Sequence, residues 1–129
     1  MTFESLKYIS DMMNGLSIPY DFMEWKARPP EKPIPDRFFV GEPIEETMTT
    51  MEEDGRQDTT FILRGYTRKD YAILMKDAEA IKKNLPQTAI LPDGTGIAVF
   101  YEGSQAVMTA DNQRKSIKTN LKIKEWSVN

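Results

Sequence analysis

The run from Ile117 to Lys124 constrains the fold more than any other stretch of the chain. Ile117, Thr119, Leu121 and Ile123 alternate with Lys118, Asn120, Lys122 and Lys124. Successive side chains of an extended strand point to opposite faces, so this run predicts a strand with one face buried and the other wet. A second pattern has the helical period. Tyr71, Leu74, Met75, Ala78, Ile81 and Leu85 recur at spacings of three and four, which predicts one apolar stripe on a helix. The opposite face of that helix is expected to carry Lys69, Asp77, Glu79, Lys82 and Lys83. Thr67 followed by Asp70 resembles a capping box, and Pro86 supplies a stop.

The remaining elements follow from the same two periods. Phe3, Leu6, Ile9 and Met13 predict a helix from Thr2 to Asn14, with Thr2 as its cap and Asn14-Gly15 as its end. Alternation from Leu16 to Lys26 suggests a strand, and Pro19 assigns it to a sheet edge. Five of the eight prolines then fall between Tyr20 and Pro43, and residues 27–37 read as a stiff connecting loop. Strand-like runs from Phe38 to Met51 and from Thr59 to Tyr66 flank the Asp54-Gly55 turn, so residues 42–66 read as a projecting hairpin. "LPDGTG" is read as a turn, Gly96–Tyr101 and Ser104–Met108 as two strands, and "TADNQRK" as a polar loop. The expected fold is a single α+β domain over residues 1–129. It has a mostly antiparallel sheet with two helices packed on one face, plus the projecting hairpin and the Pro-rich loop.

Composition excludes several kinds of chemistry. The chain has neither cysteine nor histidine. Disulfides, thiolate nucleophiles, Cys-ligated zinc and the Ser-His-Asp triad are therefore out of reach. The formal charge of −3 has the wrong sign for general phosphate neutralisation, so no specific nucleic-acid partner is expected. The carboxylates Glu42, Glu45, Glu46, Glu52, Glu53 and Asp54 do not follow the calcium-loop spacing and read as a solvated hairpin. "PDGTG" is neither a Walker loop nor a dinucleotide-binding turn, and reads as a strand-entry turn. No catalytic residue, cofactor or metal site is expected, and the protein is read as a non-enzyme. "MTFESLKYIS" lacks the charged and apolar regions of a signal peptide, and no apolar run reaches the roughly 18 residues of a membrane span. Neither secretion nor a membrane partner is expected.

What remains is surface. Prolines lower the entropy lost on docking, and aromatic and arginine side chains dominate the energetic centres of interfaces. The candidate assembly interface is therefore Trp25, Arg28, Pro29, Pro30, Phe38 and Phe39 around the proline passage, with Glu52, Glu53, Asp54 and Arg56 at the hairpin tip. The alternative surface is the wet face of the last strand, where Lys118, Lys122, Lys124 and Trp126 offer a peptide- or nucleic-acid-binding strip.

The layout also resembles a known family. A short first helix precedes "IPYDFMEW", and after the prolines comes "RFFVGEPIEETMTTMEEDGRQDTTFILRGYTR". A helix, "DYAILMKDAEAIKK", and a final strand, "SIKTNLKIKEW", complete it. This order is similar to the tail terminator and other tail-completion proteins of long-tailed bacteriophages and prophages. "GYTR" and the strand–loop–strand before it come nearest to a signature. The resemblance implies an α+β subunit that forms a homo-hexameric ring, caps the tail tube, stops its polymerisation and joins it to the head connector. Its implied partners are further copies of itself, the tail tube protein and head-tail connector proteins. Its implied places are the host cytoplasm during assembly and then the virion tail.

Overall fold

The computed structural model describes residues 1–26, 34–44, 57–107 and 114–127. In chain order its elements are α1 (Phe3–Gly15), β1 (Tyr20–Phe22), β2 (Arg37–Ile44), β3 (Gln57–Thr67), α2 (Ala72–Lys83), β4 (Gln87–Ile90), β5 (Thr95–Val107) and β6 (Lys115–Ser127). All six strands belong to one sheet in the order β1-β2-β3-β6-β5-β4. β1 runs parallel to β2, and every other neighbouring pair is antiparallel.

Alternation along the strands decides where the core lies. Phe39, Phe61, Leu63, Val99, Leu121 and Ile123 are fully buried and fall on one side of the sheet. They form one apolar cluster with Ile9 and Met13 of α1 and Leu74 and Ile81 of α2. Close approach at the centre requires glycine at position 65. A Cβ there would stand 2.6 Å from two carbons of the Phe39 ring and 2.9 Å from Ile117 Cγ2.

α1 begins as its sequence suggests, because Thr2 is extended and its hydroxyl accepts from the Ser5 amide at 3.1 Å. The last strand then holds this end in place. Ser5, itself fully buried, donates its Oγ hydrogen to Glu125 Oε2 at 2.6 Å, and the Thr2 amide donates to the same oxygen at 3.3 Å. A carboxylate beside a helix N-terminus meets both free amides and the positive end of the helix dipole. Hydrogen bonds to charged groups contribute about 1.5–3 kcal/mol. Ser5→Ala is expected to lose an amount in this range in urea denaturation. In a Glu125→Gln background the same change should cost less, because the acceptor no longer carries a charge.

The expected fold class needs correction. Strand accounts for 51% of the described residues and helix for 25%, so the molecule is mostly a six-stranded curled sheet with two helices rather than a balanced α+β arrangement. The sheet is mixed, because β1 adds to β2 in the parallel sense. Neither a projecting hairpin nor a Pro-rich loop is shown. The arms assigned to the hairpin are interior strands, with β2 and β3 lying between β1 and β6. β3 is paired on both sides from Thr60 to Thr67, so this arm is part of the body of the sheet. The expected hairpin tip and the prolines from Pro29 to Pro33 lie outside the described residues.

Finer expectations change as well. The strand expected from Leu16 to Lys26 is confined to Tyr20–Phe22, at an edge of the sheet. The two strands expected after the turn are one, β5, with a register shift between Tyr101 and Gly103. β4 is a strand that the sequence pattern does not announce, and Pro92 to Gly94 form the turn of the β4–β5 hairpin. There Leu91 N donates to Thr95 O, and Gly94 N to Leu91 O. Asp93 in this turn accepts from the Thr95 amide, and that bond holds its carboxyl below the usual range. At the start of α2, Asp70 accepts from the Ala72 amide at 3.0 Å. Thr67 is instead the last residue of β3, and its hydroxyl donates to Asp36 O at 3.1 Å.

Candidate interaction site

The richest described surface lies at the end of the sheet where Arg37 pairs with Thr67 and Thr67 with Lys115. Pro35 and Asp36 lead the chain into β2 there and separate two hollows. The larger, about 520 Å³, is bounded by Arg37, Lys69, Ile73, Lys76 and Asp77. The smaller, about 110 Å³, is bounded by Ile34, Phe38, Tyr66, Arg68 and Arg114.

The larger hollow has a fixed ion pair in its wall. Arg37 Nε donates to Asp77 Oδ2 at 2.8 Å, and the two side chains keep 30% and 11% of their exposure. A second guanidinium nitrogen of Arg37 donates to Ser17 O at 3.3 Å, linking β2 to the turn after α1. Burial pushes the Asp77 carboxyl above its ordinary pKa, while the hydrogen bond and charge of Arg37 hold it back. The sequence reading places Asp77 on the wet face of α2, yet it is buried and Met75 is exposed. The spacing contains the signal: Asp77 lies three residues after Leu74 and four before Ile81, on the same stripe. Lys69 reaches across the rim to Asp36 at 2.9 Å, with both side chains in solvent.

The smaller hollow is built on aromatic rings. The Trp25 and Phe38 centroids are 5.4 Å apart, as are those of Phe38 and Tyr66, and both pairs are tilted. The Arg114 guanidinium lies 5.8 Å from the Phe38 ring centre, within cation–π range. Trp25 and Phe38, both members of the expected interface, therefore form one contact. They differ in availability, because Trp25 is half-buried while Phe38 keeps only 7% of its exposure. Phe39, its neighbour on the opposite face, is 0% exposed and belongs to the core, closed to any partner in this conformation. Arg28, Pro29, Pro30, Glu52, Glu53, Asp54 and Arg56 lie outside the described residues. Tyr66 and Arg68 belong to the "GYTR" run, but nothing in the sequence places them or Arg114 beside Phe38. Only folding brings them beside Phe38.

The alternative strip on β6 is present in part. Lys118, Lys122, Lys124 and Trp126 fall on one face by alternation. Lys122 lies 3.8 Å from Asp58, and Lys124 lies 5.9 Å from the Phe100 ring centre. Trp126 packs flat on the sheet, since a Cβ at Gly96 opposite would stand 2.2 Å from its ring atoms. That position makes the indole a cover for Gly96 more than a free stacking platform.

Among the described residues no group of three or more carboxylates is placed to hold a metal ion. No helix there is long and apolar enough to cross a membrane. Comparison with known protein families gives no match, and comparison with curated proteins gives none either.

Proposed function

We propose that this chain is a non-enzymatic structural subunit of a bacteriophage tail, a tail terminator that closes into a homo-hexameric ring. In this role it caps the tail tube, stops its polymerisation and presents a surface to the head connector. The observation that carries the reading is the pair of unlike edges that the sheet has among the described residues. β1 and β4 end the sheet on opposite sides, and each is short. Ile90 on β4 is 69% exposed, and Met23 just after β1 is exposed too. Two different surfaces on opposite sides of a subunit suit a head-to-tail contact, which makes a ring when its rotation closes. The similarity of element order to tail-completion proteins motivates the particular role.

Solution mass tests the reading. A hexamer, or a monomer that becomes a ring on tail tubes, is the expected result; a strict monomer that ignores tubes would sink it. Trp25→Ala is the informative variant, since Trp25 is half-buried at the surface. It should weaken assembly while leaving the melting temperature within a few degrees. Phe38→Ala cannot separate assembly from folding, because Phe38 is buried.

A second reading, a binding module for nucleic acid or peptide, draws on the Lys118, Lys122 and Lys124 strip. Titration with single-stranded nucleic acid at two salt concentrations tests it. A flat response removes it.

A further inference from the structure

Backbone hydrogen bonds separate the two edges of the sheet. At β1, the Phe39 amide donates to Pro19 O and the Met23 amide to Gly41 O. Successive residues of a strand face opposite ways, so the N–H and C=O of Phe22 point away from β2. They are already engaged. The Phe22 amide donates to Asp21 Oδ1 at 3.2 Å, and Phe22 O accepts from the Glu24 amide at 2.8 Å and from Lys26 Nζ at 2.9 Å. An added strand would have to displace these bonds.

β4 differs. Leu91 N donates to Thr95 O, which makes these residues a hydrogen-bonded pair, and such pairs alternate along an antiparallel ladder. Gln87 and Ala89 therefore bond to β5, while the N–H and C=O of Thr88 and Ile90 point outward. Neither residue makes a hydrogen bond on that side among the described residues. Edge strands are commonly protected by a charge, a proline or a bulge. Gln87–Ile90 contains none of these, and its register with β5 is unbroken. Ile90 keeps 69% of its exposure there. Because the strand carries no charge, a second copy can meet it without repulsion. Turned about a twofold axis at Ala89, two β4 strands run antiparallel, with Thr88 of each copy opposite Ile90 of the other. Every outward donor and acceptor of both residues then finds a partner. A slip of two residues either way would set Ile90 against Pro86 or Thr88 against Pro92, and proline has no N–H to return the bond.

We infer that unassembled subunits pair through β4 with a second copy, by antiparallel strand addition centred on Ala89. The sheet then continues across a twofold axis from one copy into the next. This pairing does not rest on the ring reading. It occupies the edge offered to a ring neighbour, so the two contacts exclude each other and the pair belongs to the subunit before assembly.

Sedimentation equilibrium and single cysteines test this. Wild-type protein should show a monomer–dimer equilibrium that salt hardly changes, because the edge is uncharged. The Thr88 amide points away from β5, so Thr88→Pro keeps the β4–β5 ladder and removes only the outward donor. It should weaken dimerisation about tenfold or more. Ile90→Lys should do the same by placing a charge on the edge, and Ile90 is exposed, so this variant serves even if the proline disturbs the fold. The chain has no cysteine, so an introduced one reports the register. Ala89→Cys sets two thiols across the axis in a non-hydrogen-bonded pair, within disulfide reach, and should give a linked dimer in a redox buffer. Thr88→Cys sets its thiols diagonally, beyond that reach, and should not. A wild-type protein that shows no dimer overturns the proposal and leaves the ring reading to its own test on tail tubes. Dimers untouched by both Thr88→Pro and Ile90→Lys, or linked equally by both cysteines, overturn it as well.

Discussion

Phe39→Ala is expected to lower stability by about 3–5 kcal/mol, the usual loss when a large buried aromatic side chain is deleted. The effect is a large part of what holds a domain of this size folded. Phe39 has no exposure, and its ring lies over Gly65 on the neighbouring strand. Gly65→Ala is expected to cost about 1–3 kcal/mol by overpacking, because the new methyl would meet that ring at 2.6 Å and has Ile117 behind it. The two changes should not add. In the double variant the alanine at position 65 occupies part of the space that Phe39 vacates, so the combined loss falls short of the sum of the separate ones. Urea denaturation of the four proteins gives the coupling. Strict additivity would mean that the ring does not rest on Gly65.

Arg37→Met is expected to cost about 1–3 kcal/mol near neutral pH, because it leaves the buried Asp77 carboxylate without its donor. The pH dependence carries more information. Burial raises Asp77 above its ordinary value of 3.8 even with Arg37 beside it. The folded state then holds its proton more tightly than the unfolded state. That contribution to stability is fully present below about 3.8 and is lost as pH rises through the raised native value. Removing Arg37 also removes the influence that lowers the pKa, so the variant should be hurt least in acid and most above the carboxylate range. Asp77→Asn should abolish this dependence when combined with Arg37→Met. A stability gap between wild type and Arg37→Met that widens in acid would contradict the assignment.

Much of the fold could be read from the sequence wherever period and burial agree. β6 alternates as its residues do, with Ile117, Thr119, Leu121 and Ile123 buried. α1 begins and ends near the expected residues, with Thr2 as its cap. Failures have identifiable physical causes. The extra residue in β5 near Glu102 shifts the alternation, so one strand reads as two. β4 has only four residues and directly follows a proline, too little pattern to register. The parallel pairing of β1 with β2 is a tertiary choice that periodicity does not encode. At the candidate site, adjacent phenylalanines look equivalent in sequence, yet consecutive strand residues face opposite ways, and only Phe38 joins the aromatic cluster. The cationic lining of the two hollows is invisible in sequence because its residues come from separate places in the chain: Arg37, Arg68, Lys76 and Arg114.

The clamp at the start of α1 also bears on the order in which the protein is completed. Ser5 and Glu125 are 120 residues apart in sequence. During synthesis the first helix leaves the ribosome long before the strand that secures its leading end. Short amphipathic helices are marginal until something packs against them. The polar anchor for the start of α1 forms only once β6 lies in the sheet beside β3 and β5. A chain interrupted before Glu125 lacks the anchor for its beginning as well as its end.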